Sequence, residues 1–250
     1  MKPLIIAHRG ASGNAPENTI AAFLEAKKQQ SDGIEMDVHL TADNIPVVIH
    51  DETINRTTNG NGYIKDYTYS ELKQFDAGKY FSNKFIGASI PSLNNVLKLA
   101  SNFKIINIEL KTNKIKYDNI EEIILDIIKN HKLENKVLIS SFNHLTLKKL
   151  KCLNSKIELA ALYYAIIDKP WEYANNLGIN NIHPHYQSID KKTIKKCHEK
   201  NIMVNVFGVN NKEEISSSIN MGADMIITDY PETALSIKKQ TKSFFTIKKY

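Results

Sequence analysis

Two acids one residue apart, Glu35 and Asp37, open the stretch richest in chemistry, GIEMDVHLTADNIPVVIHD at 33–51, and His50 nearly closes it. On a strand alternate side chains share a face, so Glu35 and Asp37 point one way while Ile34, Met36 and Val38 point the other. Two carboxylates on one face repel and are costly to bury; a divalent cation removes that cost. Thr41-Ala42-Asp43-Asn44 is turn-like, and Ile45 to Ile49 is β-branched apart from Pro46, so the chain is expected to double back as a hairpin. That return carries His50 to the level of the two acids. Taken alone, the same residues also describe an edge hairpin with solvated acids.

Further polar residues fall in step with these. In LIIAH at 4–8, Leu4, Ile6 and His8 share a face, and Arg9-Gly10 turns out of the strand. In KIINIEL at 104–110, Ile105, Asn107 and Glu109 share a face, with Lys111 next in step. Three carboxylates from two strands suit a hard cation, Mg²⁺ or Ca²⁺, better than zinc, which favours His and Cys ligands. Two histidines that titrate near neutrality suit a base and an acid for displacement at phosphorus. Arg9 offers a planar fork for phosphate oxygens and Lys111 a point charge.

The elements that must position these residues alternate along the whole chain. Strands are expected at 4–8, 33–38, 104–110, 136–140, 157–163, 179–183, 202–207 and 224–228. Helices are expected at about 17–30, 91–100, 118–131, 143–153, 170–176, 190–199, 211–219 and 231–240. Such alternation implies a parallel sheet, and eight strands in 250 residues fit a closed (β/α)₈ TIM barrel, read as one domain over 1–250. Residues 51–90 break the rhythm, with one short helix near Tyr69 to Phe75, and read as a small insertion after the second strand. In these barrels the chemistry lies at the C-terminal ends of the strands, where His8, Arg9, Glu35, Asp37, Glu109 and Lys111 are all expected.

HRGASGNAPENTIAAF, the 33–51 stretch, NRTT, INIELK, the Ser-Phe pair at 141–142, VNVFGVN and ADMIITDYP together resemble the glycerophosphodiester phosphodiesterase family, in its cytoplasmic bacterial form. The motifs run in order over nearly the whole chain. The resemblance implies metal ligands at Glu35, Asp37 and Glu109, an acid/base pair at His8 and His50, and substrate-facing cations at Arg9 and Lys111. It also implies a barrel with a small insertion and the metal-dependent hydrolysis of glycerophosphodiesters to glycerol 3-phosphate and an alcohol. One departure is Phe207-Gly208, where the family often has Trp-Thr; Phe207 keeps an aromatic wall for the glycerol or the leaving group but lacks an indole N–H.

Blander roles fit the other conspicuous residues. Asn18 and Thr19 read as bracing for the loop and the start of the first long helix, and Asp229 as a cap or rim brace. His183 and His185 read as structural or leaving-group contacts at the rim, and His39, His131, His144 and His198 as surface or packing residues. A charge of +6 and a pI near 9.0 suit anionic partners, but the lysines are spread along helices and do not imply nucleic acid. Cys152 and Cys197 belong to no CxxC pair and read as free thiols, pointing to the cytoplasm. No stretch approaches the roughly 20 apolar residues of a membrane span. A small-molecule glycerophosphodiester is the partner that the family resemblance implies. Two rival readings stay open: a lysophospholipase-D-like enzyme on the same barrel, whose mouth could use Tyr63, Tyr67, Tyr69, Phe75, Tyr80, Phe81 and Phe85, and a non-catalytic barrel that binds a phosphate ligand. A sugar-phosphate isomerase would need neither the ExD pair nor a cation. The basic, aromatic tail TKSFFTIKKY reads as a frayed end or as packing beneath the barrel.

Overall fold

Short β-branched runs buried on both faces become strands, and the amphipathic segments between them become the helices that cover them. The structure, a computed structural model, describes residues 2–247, the side chains of 241–247 excepted. The side chains of the tail singled out above, and its last three residues altogether, therefore lie outside what is described. Among the described residues nine strands form one sheet: β1 (Leu4–Ala7), β2 (Gly33–Leu40), β3 (Pro46–Val48), β4 (Ile105–Leu110), β5 (Val137–Ser141), β6 (Glu158–Tyr163), β7 (Asn181–Pro184), β8 (Met203–Val206) and β9 (Met225–Thr228). Eight of them are parallel in the order β1-β9-β8-β7-β6-β5-β4-β2, and the β1–β2 pairing (Ile6 with Gly33, Ala7 with Ile34) closes the ring. The result is a (β/α)₈ barrel, as the alternation implied.

β3 is the exception. It runs antiparallel to β2 outside the ring, with Val38 opposite Val48 and Leu40 opposite Pro46, and it is the expected hairpin. The backbone nitrogen of Ile49 donates to the Asp37 carbonyl (3.0 Å), which sets His50, the next residue, alongside β2 at the level of its acids.

The helices follow as α1 (Ile20–Lys28), α2 (Tyr69–Leu72), α3 (Leu93–Ala100), α4 (Ile120–Asn130), α5 (His144–Leu153), α6 (Pro170–Leu177), α7 (Lys191–Glu199), α8 (Lys212–Met221) and α9 (Pro231–Ile247). α1 starts three residues later than expected because Asn18 takes a left-handed backbone (φ +57°) and Thr19 caps the helix, its hydroxyl accepting from the Ala22 nitrogen. The main core lies between barrel and helices, built from the outward side chains of the strands, such as Ile5, Ile34, Met36, Val38, Ile106 and Ile108. Each such aliphatic side chain contributes about 1.5–3 kcal/mol relative to exposure. Inside the barrel, Ile6, Leu138, Ala160, Met225 and Ile227 fill a smaller apolar plug.

The irregular 51–90 stretch carries its own small core. Ile54, Ile64, Leu72, Ala77 and Ile90 pack on Val47 and Ile49, with Tyr67, Tyr69 and Phe75 against them. Those three aromatics are therefore spent on packing, whereas Tyr63, Tyr80 and Phe81 remain exposed.

Candidate active site

The HRG turn is where the chain first leaves the barrel wall. Arg9 adopts φ +54° and Gly10 φ +79°, and a Cβ on Gly10 would meet the Ala22 backbone at 2.6 Å, so only glycine lets this turn lie flat on α1. The turn directs the Arg9 backbone nitrogen at Glu35 (2.9 Å) and leaves His8 facing inward above the apolar plug.

Glu35, Asp37 and Glu109 converge as the strand alternation requires, with one oxygen from each lying within 4.8 Å of the others, and all three are buried. Asp37 aligns with Glu109 across the β2–β4 ladder, and Glu35 with Asn107. Burial, reinforced by the Asp37 charge, pushes the Glu35 carboxyl up to about 8. Burial also works against Asp37, but Lys111 and then Arg9 hold its carboxyl far below the usual range. Glu109 is raised by burial, with Lys111 pulling the other way. One acid of the three is thus held ionised and two are short of countercharge. A buried Asp37 oxygen, Oδ1, also has no hydrogen-bond partner. Three hard oxygen donors with too little positive charge between them fit a divalent cation.

Around this cluster stand the two histidines, each bonded through Nδ1 to a carboxylate. His8 Nδ1 donates to Asp229 at 2.6 Å, and His50 Nδ1 to Asp51 at 2.7 Å. In each ring this occupies one nitrogen and leaves Nε2 to meet a substrate. Burial and Arg9 act against the charged form of His8, yet the Asp229 bond and the charges of Glu35 and Asp229 outweigh them and raise its pKa above the ordinary value. His50 moves the other way: burial lowers its pKa, helped by Arg9 and Lys111, against the pull of Asp37 and Asp51.

Arg9 and Lys111 differ in where they point. The Arg9 guanidinium reaches Glu17 (2.9 Å) and Asp37 (3.3 Å) and lines the cleft. Lys111 sits behind the acids, 6% exposed, 2.8 Å from Glu109 and 3.5 Å from Asp37, and is not among the residues lining the cleft. The alternation that put it in step with Glu109 was right, but the ammonium turns to the acids, pairing with Glu109 and sharing Asp37 with Arg9.

The cleft, about 180 Å³, has two chemically distinct ends. His8, Arg9, Glu35, His50, Asn107 and Glu109 form the polar end, on the β1, β2 and β4 side of the ring. Phe142, Leu162, Tyr164, His185 and Phe207, with Gly208 and Ile227, form the apolar end on the other side.

Several site residues were missed or misread in the sequence. Asp229, read as a cap or rim brace, is the partner of His8 and is itself fixed by Ser12 Oγ (3.0 Å) and Asn210 Nδ2 (2.7 Å). Arg56, within NRTT, grips Asp51 (2.7 Å) and Glu17 (2.7 and 2.8 Å) at once, linking the irregular stretch to both histidine neighbourhoods. Asn18 does brace, but through Asp37, to which its Nδ2 donates at 2.8 Å. His39, read as a surface or packing residue, is fully buried: burial pushes its pKa down to about 4, its Nδ1 accepts from the Tyr117 hydroxyl, and its Nε2 donates to the His50 carbonyl (3.0 Å). His183, read as a structural or leaving-group contact near the rim, is a structural one: fully buried near the end of β7, it accepts from Asn205 Nδ2 (3.1 Å), with burial pushing its pKa down to about 3. The neighbouring strands give no sequence sign of that contact, because Asn205 is 22 residues away.

Residues 8–233 match the glycerophosphoryl diester phosphodiesterase family. A glycerophosphodiester phosphodiesterase of Caldanaerobacter subterraneus subsp. tengcongensis is 42% identical over 241 residues, covering 96% of this chain and 99% of the relative. This chain belongs to that family. Its chemistry is accordingly that of a phosphoric diester hydrolase. A glycerophosphodiester phosphodiesterase of Bacillus altitudinis is 40% identical, covering 95% of this chain and 99% of its own length. Among solved structures, an Oleispira antarctica phosphodiesterase in complex with the product sn-glycerol-3-phosphate superposes with a TM-score of 0.88 at 32% identity, over 95% of this chain and 97% of that one. Among the described residues, no helix is long and apolar enough to cross a membrane.

Proposed function

We propose that this chain hydrolyses glycerophosphodiesters to glycerol 3-phosphate and an alcohol, with His8 and His50 moving the protons and Glu35, Asp37 and Glu109 holding one divalent cation, Mg²⁺ or Ca²⁺. The observation that carries the reading is the pairing of two carboxylate-anchored imidazoles with a buried acidic triplet at one cleft.

The two imidazole environments support a division of labour. His50, with its pKa held low, is the neutral partner and takes the proton of the glycerol 2-hydroxyl, freeing that oxygen to attack phosphorus. The nucleophile is already tethered to the phosphorus it attacks, so little orientational freedom is lost. His8, with its pKa held high, is the charged partner and gives its proton to the departing alcohol as the phosphorus–oxygen bond breaks. Water then opens the cyclic phosphate with the two roles reversed. The Arg9 guanidinium faces the charge that gathers on the phosphoryl oxygens, and His39 steadies the His50 backbone. A cation held by the three acids would add Lewis-acid stabilisation of that same charge.

The free thiols, Cys152 exposed and Cys197 buried, suit the cytoplasm as the site of action. The proposal is tested by following phosphorus NMR of glycerophosphocholine with the purified protein and Mg²⁺ or Ca²⁺ present. Glycerol 3-phosphate is the expected product. A protein that leaves every glycerophosphodiester intact with either ion overturns the reading.

A further inference from the structure

The polar end of the cleft accounts for the glycerol and phosphate of a substrate; the other end has no role yet. It is aromatic and carries a definite geometry. The rings of Phe142 and Tyr164 stack in parallel, 6° apart with centroids 5.1 Å from each other. Phe207 stands at right angles to both, at 85° and 79°, with centroids 6.0 and 5.3 Å away. His185 closes the group, 5.4 Å from Phe207 and 5.6 Å from Tyr164. Two perpendicular aromatic walls thus meet in a corner that opens into the cleft.

Gly208 is what lets the corner close. Its φ is +80°, and a Cβ there would stand 2.7 Å from His185 Nε2 and 2.8 Å from Cδ2, so any side chain at 208 would push the imidazole away. The Phe-Gly pair that departs from the family pattern therefore has a structural consequence: a lone aromatic side chain at 207, with room beside it for a second ring. Tyr164 is 66% exposed, an unusual position for a large ring that stacks on a cleft wall, and it leaves much of its surface for a ligand.

Charge sharpens the choice of ligand. Among the described residues, every Asp, Glu, Lys and Arg lining the cleft lies at the polar end, and none lines the aromatic end. A primary ammonium entering there would shed water from three N–H groups and find no carboxylate to receive them. A polyol would lose hydrogen bonds in the same way. A trimethylammonium group has no N–H to satisfy, is weakly hydrated, and is attracted to the negative faces of aromatic rings.

We propose that the corner of Phe142, Tyr164, Phe207 and His185 seats the leaving alcohol and selects a quaternary ammonium, so that choline diesters are the preferred substrates. This rests on the phosphodiesterase reading above and names the alcohol it releases. The test compares kcat/KM for glycerophosphocholine, glycerophosphoethanolamine and glycerophosphoglycerol with the purified, metal-supplemented enzyme, together with Tyr164→Phe, Tyr164→Leu and Phe142→Leu. Loss of one ring face from such a seat is worth about tenfold for the quaternary ammonium. Glycerophosphocholine is expected to lead the other two diesters by about tenfold or more, with Tyr164→Phe keeping the lead and both leucine variants erasing most of it. Because each lead is a ratio on one preparation, a partly unfolded variant does not distort it. Equal kcat/KM for the three diesters, or a lead that survives both leucine variants, overturns the aromatic seat while leaving the hydrolysis standing. Failure to cleave any of the three overturns the hydrolysis itself.

Discussion

The two histidine–carboxylate pairs look alike and behave differently. Asp229 is braced by neutral donors, Ser12 and Asn210, and favours the charged form of His8 through both its hydrogen bond and its charge. Asp51 is braced by a cation, because Arg56 holds both of its oxygens, at 2.7 and 3.2 Å, and offsets the charge His50 would otherwise feel. Burial works against the Asp51 charge, yet the Arg56 and His50 hydrogen bonds hold its carboxyl down to about 2. Arg9 disfavours the charged form of both rings, and Lys111 disfavours that of His50 as well. Under the proposed mechanism, one imidazole would thereby be prepared to give a proton and the other to take one. For His50 burial is the largest cause, with Arg9 and Lys111 adding to it, whereas for His8 the Asp229 bond and the Glu35 and Asp229 charges outweigh burial and Arg9.

The contrast can be broken at several depths. Removing either imidazole, His8→Ala or His50→Ala, is expected to lower kcat by about 10²–10⁴-fold while circular dichroism stays native, the ordinary scale for a positioned acid or base. The carboxylate partners should separate the two pairs. kcat/KM is expected to rise with pH through the His50 pKa, below the ordinary histidine value, and to fall through the His8 pKa, above it. Asp229→Asn removes an anion that favours charged His8, so the alkaline limb should move to lower pH with about a tenfold loss near pH 8. Asp51→Asn removes an anion from His50, so the acid limb should move further down, and the alkaline limb should stay in place. The smallest effect is expected from Arg56→Ala, a loss of a few-fold, on the scale of about 1 kcal/mol for a partly exposed ion pair. In that variant the acid limb should move up, because Asp51 then acts on His50 undiluted. Matching shifts in Asp229→Asn and Asp51→Asn would erase the distinction between the pairs.

Much of this was legible before any coordinates, for a geometric reason. Alternation along a strand fixes a face, and the barrel rule fixes an end, so Glu35, Asp37, Glu109 and His8 could be placed from spacing alone. The same logic placed Lys111 on the right face, but could not tell whether its long side chain would reach the cleft or fold onto the acids. Asp229 and Arg56 were hidden because their partners are far away in sequence, 221 residues for Asp229 and His8, 39 for Arg56 and Glu17. His39 was read as bland because an isolated histidine carries no sign of a carbonyl eleven residues ahead. The aromatic corner was least legible of all. Phe142, Tyr164, His185 and Phe207 come from four separate strand ends, and their angles depend on a glycine whose importance lies only in what it leaves out.

The claim beneath all of these is that the buried acids hold a cation at the point where the two imidazoles meet the diester. The direct measurement is release of glycerol 3-phosphate after chelation, followed by return of Mg²⁺ or Ca²⁺ one ion at a time, for the native chain and for Glu35→Gln. Turnover should stop on chelation and return with one or both ions in the native chain, while Glu35→Gln stays inactive at every ion concentration tried. Undiminished turnover in the fully chelated native enzyme would contradict the account.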